Sequence, residues 1–288
     1  MPYGGFTVIR TDWSKDAIWA FLDAGPEGQA HQHEDKLAFQ LYAYGTDMLA
    51  DTGTYAYDTS DMRKYAVGTR SHSTGMVDGE NQNRMKTHKY GVIPERIHAD
   101  FSYAFGDEYE IAEGYFDQGY GDELIDVKHS RKVIFFKKGL GSLPPFFLLL
   151  DRFESRDEKE HDREVSFQLP HVPVSAFEHC VKANYRSGAV MKMISDKYPK
   201  IQIGQYAPKY IGWKPIHGPK EHEHSPAPVV SYTKRGVDTR FATLLLPFGE
   251  ESEITASVSL TDGGFEIAVG EHTFTFDYAD ERFATEKA

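Results

Sequence analysis

Alternating apolar and polar residues recur in short segments along most of the chain. This period of two places successive side chains on opposite faces, so each such segment is expected to form a half-buried β-strand. The clearest examples are residues 6–8, 165–169, 254–260, 265–269 and 274–278. Three nearly continuous apolar segments, typical of central strands in packed sheets, are residues 133–136, 146–150 and 241–246.

Turn-forming pairs such as Asp78-Gly79 separate the predicted strands. Residues 16–22 have the length of a short helix, but they lack a capping box and their apolar centre favours a strand. The mixed-charge run at 151–164 is interpreted as a solvated loop between two strands. The sequence therefore predicts an all-β fold, a large antiparallel β-sandwich with few or no helices, as a single domain over residues 1–288.

Composition and charge limit the possible classes of function. The chain has 288 residues, with 32 Lys or Arg and 44 Asp or Glu, and its net charge of −12 argues against a broad nucleic-acid surface. No apolar run approaches the length of a membrane span, and no apolar block follows Met1, so a soluble chain without a visible export signal is expected. The single cysteine, Cys180, excludes an internal disulfide and a Cys-rich zinc site. Any metal must therefore be held by histidines and carboxylates.

The 13 histidines include two His-x-His pairs. His222 and His224 lie among charged residues and prolines, and we interpret that segment as a mobile polar loop. His31 and His33 lie between a Gly-containing turn and an apolar strand, where two side chains of one strand would point to the same face. The first pair is therefore the stronger candidate for a site.

Further candidate ligands follow the first pair. A predicted hairpin ends at Asp51, and a third imidazole follows at His72. Two neutral imidazoles and a carboxylate suit a tetrahedral zinc site with water as the fourth ligand. The alternative is that His33 and His72 are hydrogen-bonded core residues and that Asp51 caps a turn. A cupin-type metal site is disfavoured because Leu37 and Ala38 stand where its glutamate would follow the pair.

Three motifs occur in order between residues 25 and 82: HQHEDKLAF, LADTGTYAY and RSHSTGMVDGENQ. Their combination resembles the C-terminal domain of the heparinase II/III-like polysaccharide lyases, and weaker similarity continues through HSRKVIFF and FFLLLDRF. The resemblance implies a large β-sandwich that packs on an N-terminal α/α toroid, with catalysis in the cleft between them. Because the first predicted strand lies close to Met1, the chain resembles the sandwich half, and a toroid domain in cis or in trans is an expected partner.

The resemblance also implies roles for individual residues. His33, Asp51 and His72 match the family's zinc ligands, and His31 matches the sandwich histidine that faces substrate. The zinc is expected to be structural, fixing the loop that carries His31. Three positions depart from the family pattern without removing a ligand: Ala30 for Gly, Thr52 for Pro and Ser73 for Asn. The last departure is expected to weaken a hydrogen bond that orients His72.

Lyases of this class cleave uronic-acid glycosides by β-elimination, in which a base removes the proton α to the carboxylate and an acid protonates the departing oxygen. Cationic or neutral donors must stabilise the charge that develops at the carboxylate. His31 is the candidate for that contact or for part of the proton transfer. Tyr65 is the candidate proton-transfer tyrosine, with a packed aromatic as the alternative. Arg63 and Arg70 are candidate substrate-binding residues, with surface charge as the alternative.

Basic residues near the predicted metal site are expected to form a local basic cleft despite the negative net charge. They are Lys36, Arg63, Lys64, Arg70, Arg84 and Lys86. Two functions stay open: a lyase acting on an acidic polysaccharide such as a glycosaminoglycan or alginate, or a non-catalytic zinc-stabilised sandwich that binds glycan or docks a catalytic partner. The resemblance suggests a bacterial periplasmic, secreted or cytoplasmic protein.

Overall fold

The computed structural model describes residues 4–26, 31–84, 99, 101–139, 143–216, 222–270, 272–277 and 282–287. The first elements in chain order are β1 (Phe6–Arg10), β2 (Trp19–Asp23), β3 (Ala38–Ala43), β4 (Thr46–Leu49), α1 (Asp61–Val67), a 3-10 helix (Thr69–Ser71) and β5 (Gly75–Val77). They are followed by β6 (Phe101–Phe105), β7 (Glu110–Phe116), β8 (Val127–Phe136), β9 (Phe146–Ser155), β10 (His161–Gln168), β11 (Val174–Phe177), β12 (Cys180–Asn184) and β13 (Val190–Ser195). The last are β14 (Lys200–Ile203), β15 (Trp213–Pro215), β16 (His224–Pro226), β17 (Pro228–Gly236), β18 (Asp238–Phe248), β19 (Ala256–Leu260), β20 (Gly264–Val269), β21 (His272–Asp277) and β22 (Arg282–Lys287).

An eight-stranded antiparallel sheet with the order β11-β12-β13-β18-β9-β8-β7-β6 forms the centre of the fold. The three apolar segments predicted as central strands lie side by side in it, on β18, β9 and β8. Alternate residues of β8 enter different cores: Val133 and Phe135 pack in one, and Ile134 and Phe136 in the other. Both faces of this part of the sheet are therefore buried, which explains why its sequence is continuously apolar.

Smaller antiparallel sheets cover the two faces of the central sheet. The sheet β1-β2-β3-β4 and the sheet β14-β17-β10-β5 share one core with it, and the sheet β19-β20-β21-β22 shares the other. The predicted all-β sandwich is confirmed, with α1 as the one α-helix in the described ranges. None of the described helices is both long enough and apolar enough to cross a membrane.

Two local predictions were wrong. The mixed-charge run at 151–164 is mostly strand, because β9 extends to Ser155 and β10 begins at His161, and both Asp151 and Arg163 are buried. In β1 the alternation predicts that Phe6 and Val8 face the core. Instead Thr7 and Ile9 are buried, and Phe6 and Val8 are 39% and 45% exposed. The outer side of the first sheet therefore carries apolar side chains.

Helix α1 was not foreseen as a helix and lies between the second and third motifs. Ser60 caps it by accepting a hydrogen bond from the backbone N–H of Arg63 at 3.2 Å. Its buried face, Met62, Tyr65 and Ala66, packs with Tyr55 and Trp213 in a small separate core. This packing fixes the segment that carries two of the predicted site residues, Arg63 and Tyr65.

Candidate functional site

The first His-x-His pair lies on a loop between β2 and β3, not on a strand as predicted. His31 has a left-handed backbone conformation, with φ of 60°, so the two imidazoles do not follow strand alternation. The buried Arg84 fixes this loop: its Nη1 donates to the carbonyl of His33 at 3.4 Å and forms an ion pair with Asp35. The predicted hairpin follows as β3 and β4, and Asp51 lies just past its end, as expected.

Two imidazoles and two carboxylates meet between this loop and the 3-10 helix. His33, Asp35 and His72 each offer one ligand atom, and the three atoms lie within 4.8 Å of one another. Asp51 Oδ2 lies 2.7 Å from Nδ1 of His72. His72 is fully buried, and its Nε2 has no hydrogen-bond partner in the described part of the chain. We call His33, Asp35, Asp51 and His72 the histidine centre.

The histidine centre supplies an ionised carboxylate and one neutral imidazole, whereas Asp51 raises the pKa of His72, whose proton a metal would displace. Burial would raise the pKa of Asp51, but the charge and hydrogen bond of His72 outweigh burial and lower that pKa to about 2. Burial, and then the neighbouring His72, lower the pKa of His33, so its imidazole is neutral near pH 7. Neutral imidazole and ionised carboxylate are the forms that bind a divalent metal. The donors present, two nitrogens and one or two carboxylate oxygens, fit zinc.

Backbone contacts hold Asp51 and His72 in place. The buried Lys214 donates from Nζ to the carbonyls of Ala50 and Asp51 at 2.6 and 2.8 Å, and burial lowers its pKa to about 8. Ser166 Oγ donates to the carbonyl of His72 at 3.0 Å. Ser73, expected to affect the orientation of His72, instead accepts a hydrogen bond from the backbone N–H of Gln168 at 2.9 Å. The orientation of the His72 ring comes from Asp51.

A buried charged group on the central sheet supports both loops of the site. Arg131 donates from Nη1 to the carbonyls of Leu37 and Ser73 at 2.9 and 2.6 Å. Its Nε and Nη2 contact the carboxylate of Asp151 at 2.8 and 3.2 Å, and His129 lies 2.6 Å from the same carboxylate. All three side chains are buried. The core thus positions the residues next to the histidine centre.

Three exposed or half-buried side chains lie together beside His33. Nδ1 of His31 is hydrogen-bonded to the hydroxyl of Tyr57, whose ring is 71% exposed. The guanidinium of Arg63 lies 4.7 Å from the centre of the Tyr57 ring, and its Nη1 donates to the carbonyl of Tyr55 at 3.4 Å. We call His31, Tyr57 and Arg63 the exposed triad. Sequence reasoning missed Tyr57, although it lies inside the quoted motif LADTGTYAY.

Tyr65 and Arg70, the other two predicted site residues, do not join the exposed triad. The Tyr65 hydroxyl is buried and accepts hydrogen bonds from the backbone N–H groups of Gly212 and Trp213 at 3.2 and 3.4 Å. Burial raises the pKa of Tyr65 to about 12. Arg70 pairs with Glu164 at 3.5 Å. Tyr65 is therefore a packed aromatic residue in this structure, as in the alternative to a proton-transfer role.

The predicted basic residues do not form one continuous surface. Lys36 and Arg84 are buried and serve the loop architecture. Lys64 is exposed and pairs with Asp61 at 2.9 Å. Lys86 lies outside the described residues. A polyanion would therefore meet Arg63 and Arg70 on separate surfaces rather than in a single basic cleft.

The second His-x-His pair is part of the structure around the site. His224 lies on β16, and its ring packs edge-on against Trp213 at 4.9 Å. The Tyr55 hydroxyl donates to the carbonyl of His222 at 2.9 Å. Because Tyr55 is four residues past Asp51, this contact ties the second pair to the segment that follows the histidine centre.

The fold and the site together define a class of protein: an antiparallel β-sandwich whose loops bring histidines and carboxylates together beside an exposed imidazole, phenol and guanidinium. The chain belongs to the heparinase II/III-like, C-terminal family, whose model matches residues 1–215.

Individual relatives match this chain over only part of their own length. A heparin-sulfate lyase from Bacteroides stercoris is 28% identical over 87 residues, which are 29% of this chain and 13% of that lyase. The crystal structure of a heparan sulfate lyase from Pedobacter heparinus matches 99% of this chain and 42% of its own, with a TM-score of 0.70 and 17% identity. A heparinase III structure matches 100% of this chain and 42% of its own, with a TM-score of 0.71 and 16% identity. The solved structures share the fold, and the chain spans less than half the length of each relative.

Proposed function

We propose that this chain is the sandwich part of a polysaccharide lyase that cleaves a uronate-containing glycosaminoglycan by β-elimination. The observation that carries the proposal is the exposed triad, an imidazole hydrogen-bonded to a phenol beneath a guanidinium, next to the histidine centre. Family membership and the similarity to heparin-sulfate and heparan sulfate lyases support the same class of reaction.

The exposed triad supplies the three groups that β-elimination needs. Arg63 binds the uronate carboxylate and stabilises the negative charge that develops there. The His31–Tyr57 pair removes the proton from the carbon α to the carboxylate. The electron pair of that C–H bond forms the new C=C bond, the glycosidic C–O bond breaks, and the departing oxygen takes up the proton that the His31–Tyr57 pair has accepted. The product is an unsaturated uronate.

We also propose that zinc binds at the histidine centre through His33, His72 and a carboxylate of Asp51 or Asp35. Bound there, it would join the loop of His31 to the segment of His72 and so fix the base relative to the substrate. Asp51 is the ligand implied by the family motif, whereas Asp35 completes the compact group of ligand atoms but also pairs with Arg84.

Metal analysis after dialysis against zinc tests this assignment. We expect about one zinc per chain in the wild type and in the control His272→Ala, and a loss of zinc in His33→Ala. Asp51→Asn and Asp35→Asn identify the carboxylate, because only the ligand variant should lose zinc. A wild-type chain that binds no zinc at neutral pH would contradict the metal site and leave the lyase assignment to be judged on turnover.

The ultraviolet absorbance of the unsaturated product tests the lyase assignment. We expect the chain, alone or with an α/α toroid domain in cis or in trans, to produce it from heparan sulfate. Tyr57→Phe should lower turnover by about 10²–10⁴-fold, the range for a lost general acid or base. Tyr198→Phe, at another exposed tyrosine, serves as the matched control. Equal turnover in the two variants would remove Tyr57 from the mechanism.

A second function has its own support, because the solved relatives extend well beyond the matched region. A non-catalytic, zinc-stabilised sandwich would bind acidic glycan or dock a separate catalytic domain. Glycan binding without any product absorbance, also in the presence of a toroid domain, would favour this function over the lyase.

A further inference from the structure

A second concave site lies beside α1. Its volume is about 360 Å³, within the range of small-ligand sites. Residues from α1, from the turn after β5 and from the loop between β14 and β15 line it, among them Arg70, Asn81, Tyr206, Lys209 and Tyr210. We call this site the α1 cleft.

Helix α1 separates the α1 cleft from the exposed triad. Asp61, Lys64 and Tyr65 line the cleft and lie at i, i+3 and i+4, on one face of the helix. Arg63 lies on the opposite face, where its guanidinium contacts Tyr57. A helix with its side chains is about 10–12 Å thick, so the two sites are neighbours on either side of a single helix.

Fixed aromatic rings form one wall of the α1 cleft. The Tyr206 ring stacks on Trp213 with centroids 4.4 Å apart and meets Tyr210 edge-on at 5.1 Å, yet Tyr206 stays 52% exposed. A rigid tyrosine held this way presents apolar ring surface together with a hydroxyl. That combination matches a sugar ring, which has apolar C–H faces and polar edges.

Of the basic side chains of the α1 cleft, Lys209 is the one most open to an acidic ligand. Lys64 and Arg70 are held in ion pairs with Asp61 and Glu164, at 2.9 and 3.5 Å. The Lys209–Glu80 pair is 3.5 Å apart and exposed, and such pairs contribute little, so an anion can compete for the ammonium group.

Gly79 leaves room for these cations. A Cβ added there would lie 3.2 Å from Nη2 of Arg70 and 3.9 Å from Nζ of Lys209. A larger residue in this turn would therefore crowd both groups, and glycine keeps the space beside them clear.

We propose that the α1 cleft binds an acidic sugar unit of the glycan that reaches the exposed triad. Tyr206 stacks on the sugar ring, and Lys209 pairs with its carboxylate or sulfate. The inference rests on the proposed function for the class of glycan, while the site itself rests on the cleft geometry.

Calorimetric titration of the full chain with a heparan sulfate tetrasaccharide tests the cleft, with cellotetraose as the neutral probe. We expect Tyr206→Ala and Lys209→Ala each to weaken tetrasaccharide binding about fivefold or more. Tyr198→Ala and Lys159→Ala are the matched controls at other exposed positions and should bind like the wild type. The Lys209 side chain is 57% exposed, so Lys209→Ala should keep the wild-type melting temperature and tests the cleft independently of the packing on Trp213 that Tyr206→Ala removes.

The outcomes separate this inference from the proposed function. Wild-type affinity in both cleft variants, or no tetrasaccharide binding by the wild type, would overturn the cleft as a glycan site. Equal affinity for cellotetraose would overturn its preference for an acidic sugar. Binding that depends on Tyr206 and Lys209 in a chain with no turnover would support the cleft while contradicting the lyase assignment.

Discussion

Two Asp–His pairs of nearly equal geometry lie close together in this protein and differ in what surrounds them. Asp51 and His72 are 2.7 Å apart, and Asp151 and His129 are 2.6 Å apart. Both imidazoles are fully buried, and each has one ring nitrogen without a partner among the described atoms. At His72 that nitrogen belongs to the histidine centre, whereas the His129 ring stacks on Phe153 at 4.2 Å.

The difference between the pairs is the guanidinium of Arg131. Burial by itself would lower the pKa of both imidazoles. At His72 the charge and hydrogen bond of Asp51 outweigh burial, and the pKa is raised. At His129 burial prevails and the pKa falls, because Asp151 shares its charge with Arg131. The Asp51–His72 pair therefore attracts a positive charge. The Asp151–His129 pair instead forms, together with Arg131, a buried group with no net charge that supports the loops of the site.

The largest expected effect is at Asp151. Asp151→Asn should lower the free energy of unfolding by about 3–5 kcal/mol, because it leaves Arg131 as an uncompensated buried charge. Asp51→Asn, measured with a chelator present, should cost about 1–3 kcal/mol, since no guanidinium in the described part of the chain pairs with that carboxylate. Urea denaturation of both variants checks the comparison. Equal losses would show that Arg131 does not distinguish the two pairs.

The next effect concerns the packing around His129. A Cβ at Gly75 would lie 2.6 Å from both the His129 and Phe153 rings, so Gly75→Ala should destabilise the protein by about 1–3 kcal/mol through overpacking. Gly263→Ala is the control, because among the described residues its Cβ would approach Asp277 Oδ2 alone, at 4.0 Å. Thermal denaturation measures both. A neutral Gly75→Ala would mean that the stacked rings can shift.

The smallest effect is on the pH dependence of stability, and its sign differs between the two histidines. His129 has a lowered pKa when folded, so its contribution is lost as pH falls below about 6.5 and the unfolded state binds the proton. His72 has a raised pKa when folded, so its contribution is present below about 6.5 and is lost as pH rises through the folded value.

Free energies of unfolding between pH 8 and 5, with a chelator present, test these signs. Relative to the wild type, His129→Gln should reduce the loss of stability on acidification, and His72→Gln should increase it. Slopes that change in the same direction would contradict the different roles assigned to the two pairs.

Local patterns predicted those parts of the fold whose burial is visible in the sequence. The continuous apolar run at 133–136 is a central strand because both of its faces are buried. The charged run at 151–164 was wrongly predicted as a loop. Asp151 is paired with Arg131 on the neighbouring strand, and a charge pattern along the chain does not reveal such a partner. Charge alone therefore predicted a solvated loop where the structure has a buried ion pair.

The order of motifs located the histidine centre but not its full membership. His33, Asp51 and His72 were named from that order, whereas Asp35 and Tyr57 emerged only from three-dimensional proximity. The hydroxyl of Tyr65 binds a backbone N–H that is 147 residues away in sequence. Contacts at that separation depend on tertiary packing, so no local pattern could have shown whether this tyrosine faces substrate or core.

The hydrogen bonds from Arg131 to the carbonyls of Leu37 and Ser73 set a lower limit on the length of chain that can form the histidine centre. A proteolytic fragment that ended before β8 would keep all three motifs, yet it would lack both the guanidinium and the carboxylate that support their loops. A fragment that forms the histidine centre therefore has to extend at least past Asp151, well beyond the last motif residue.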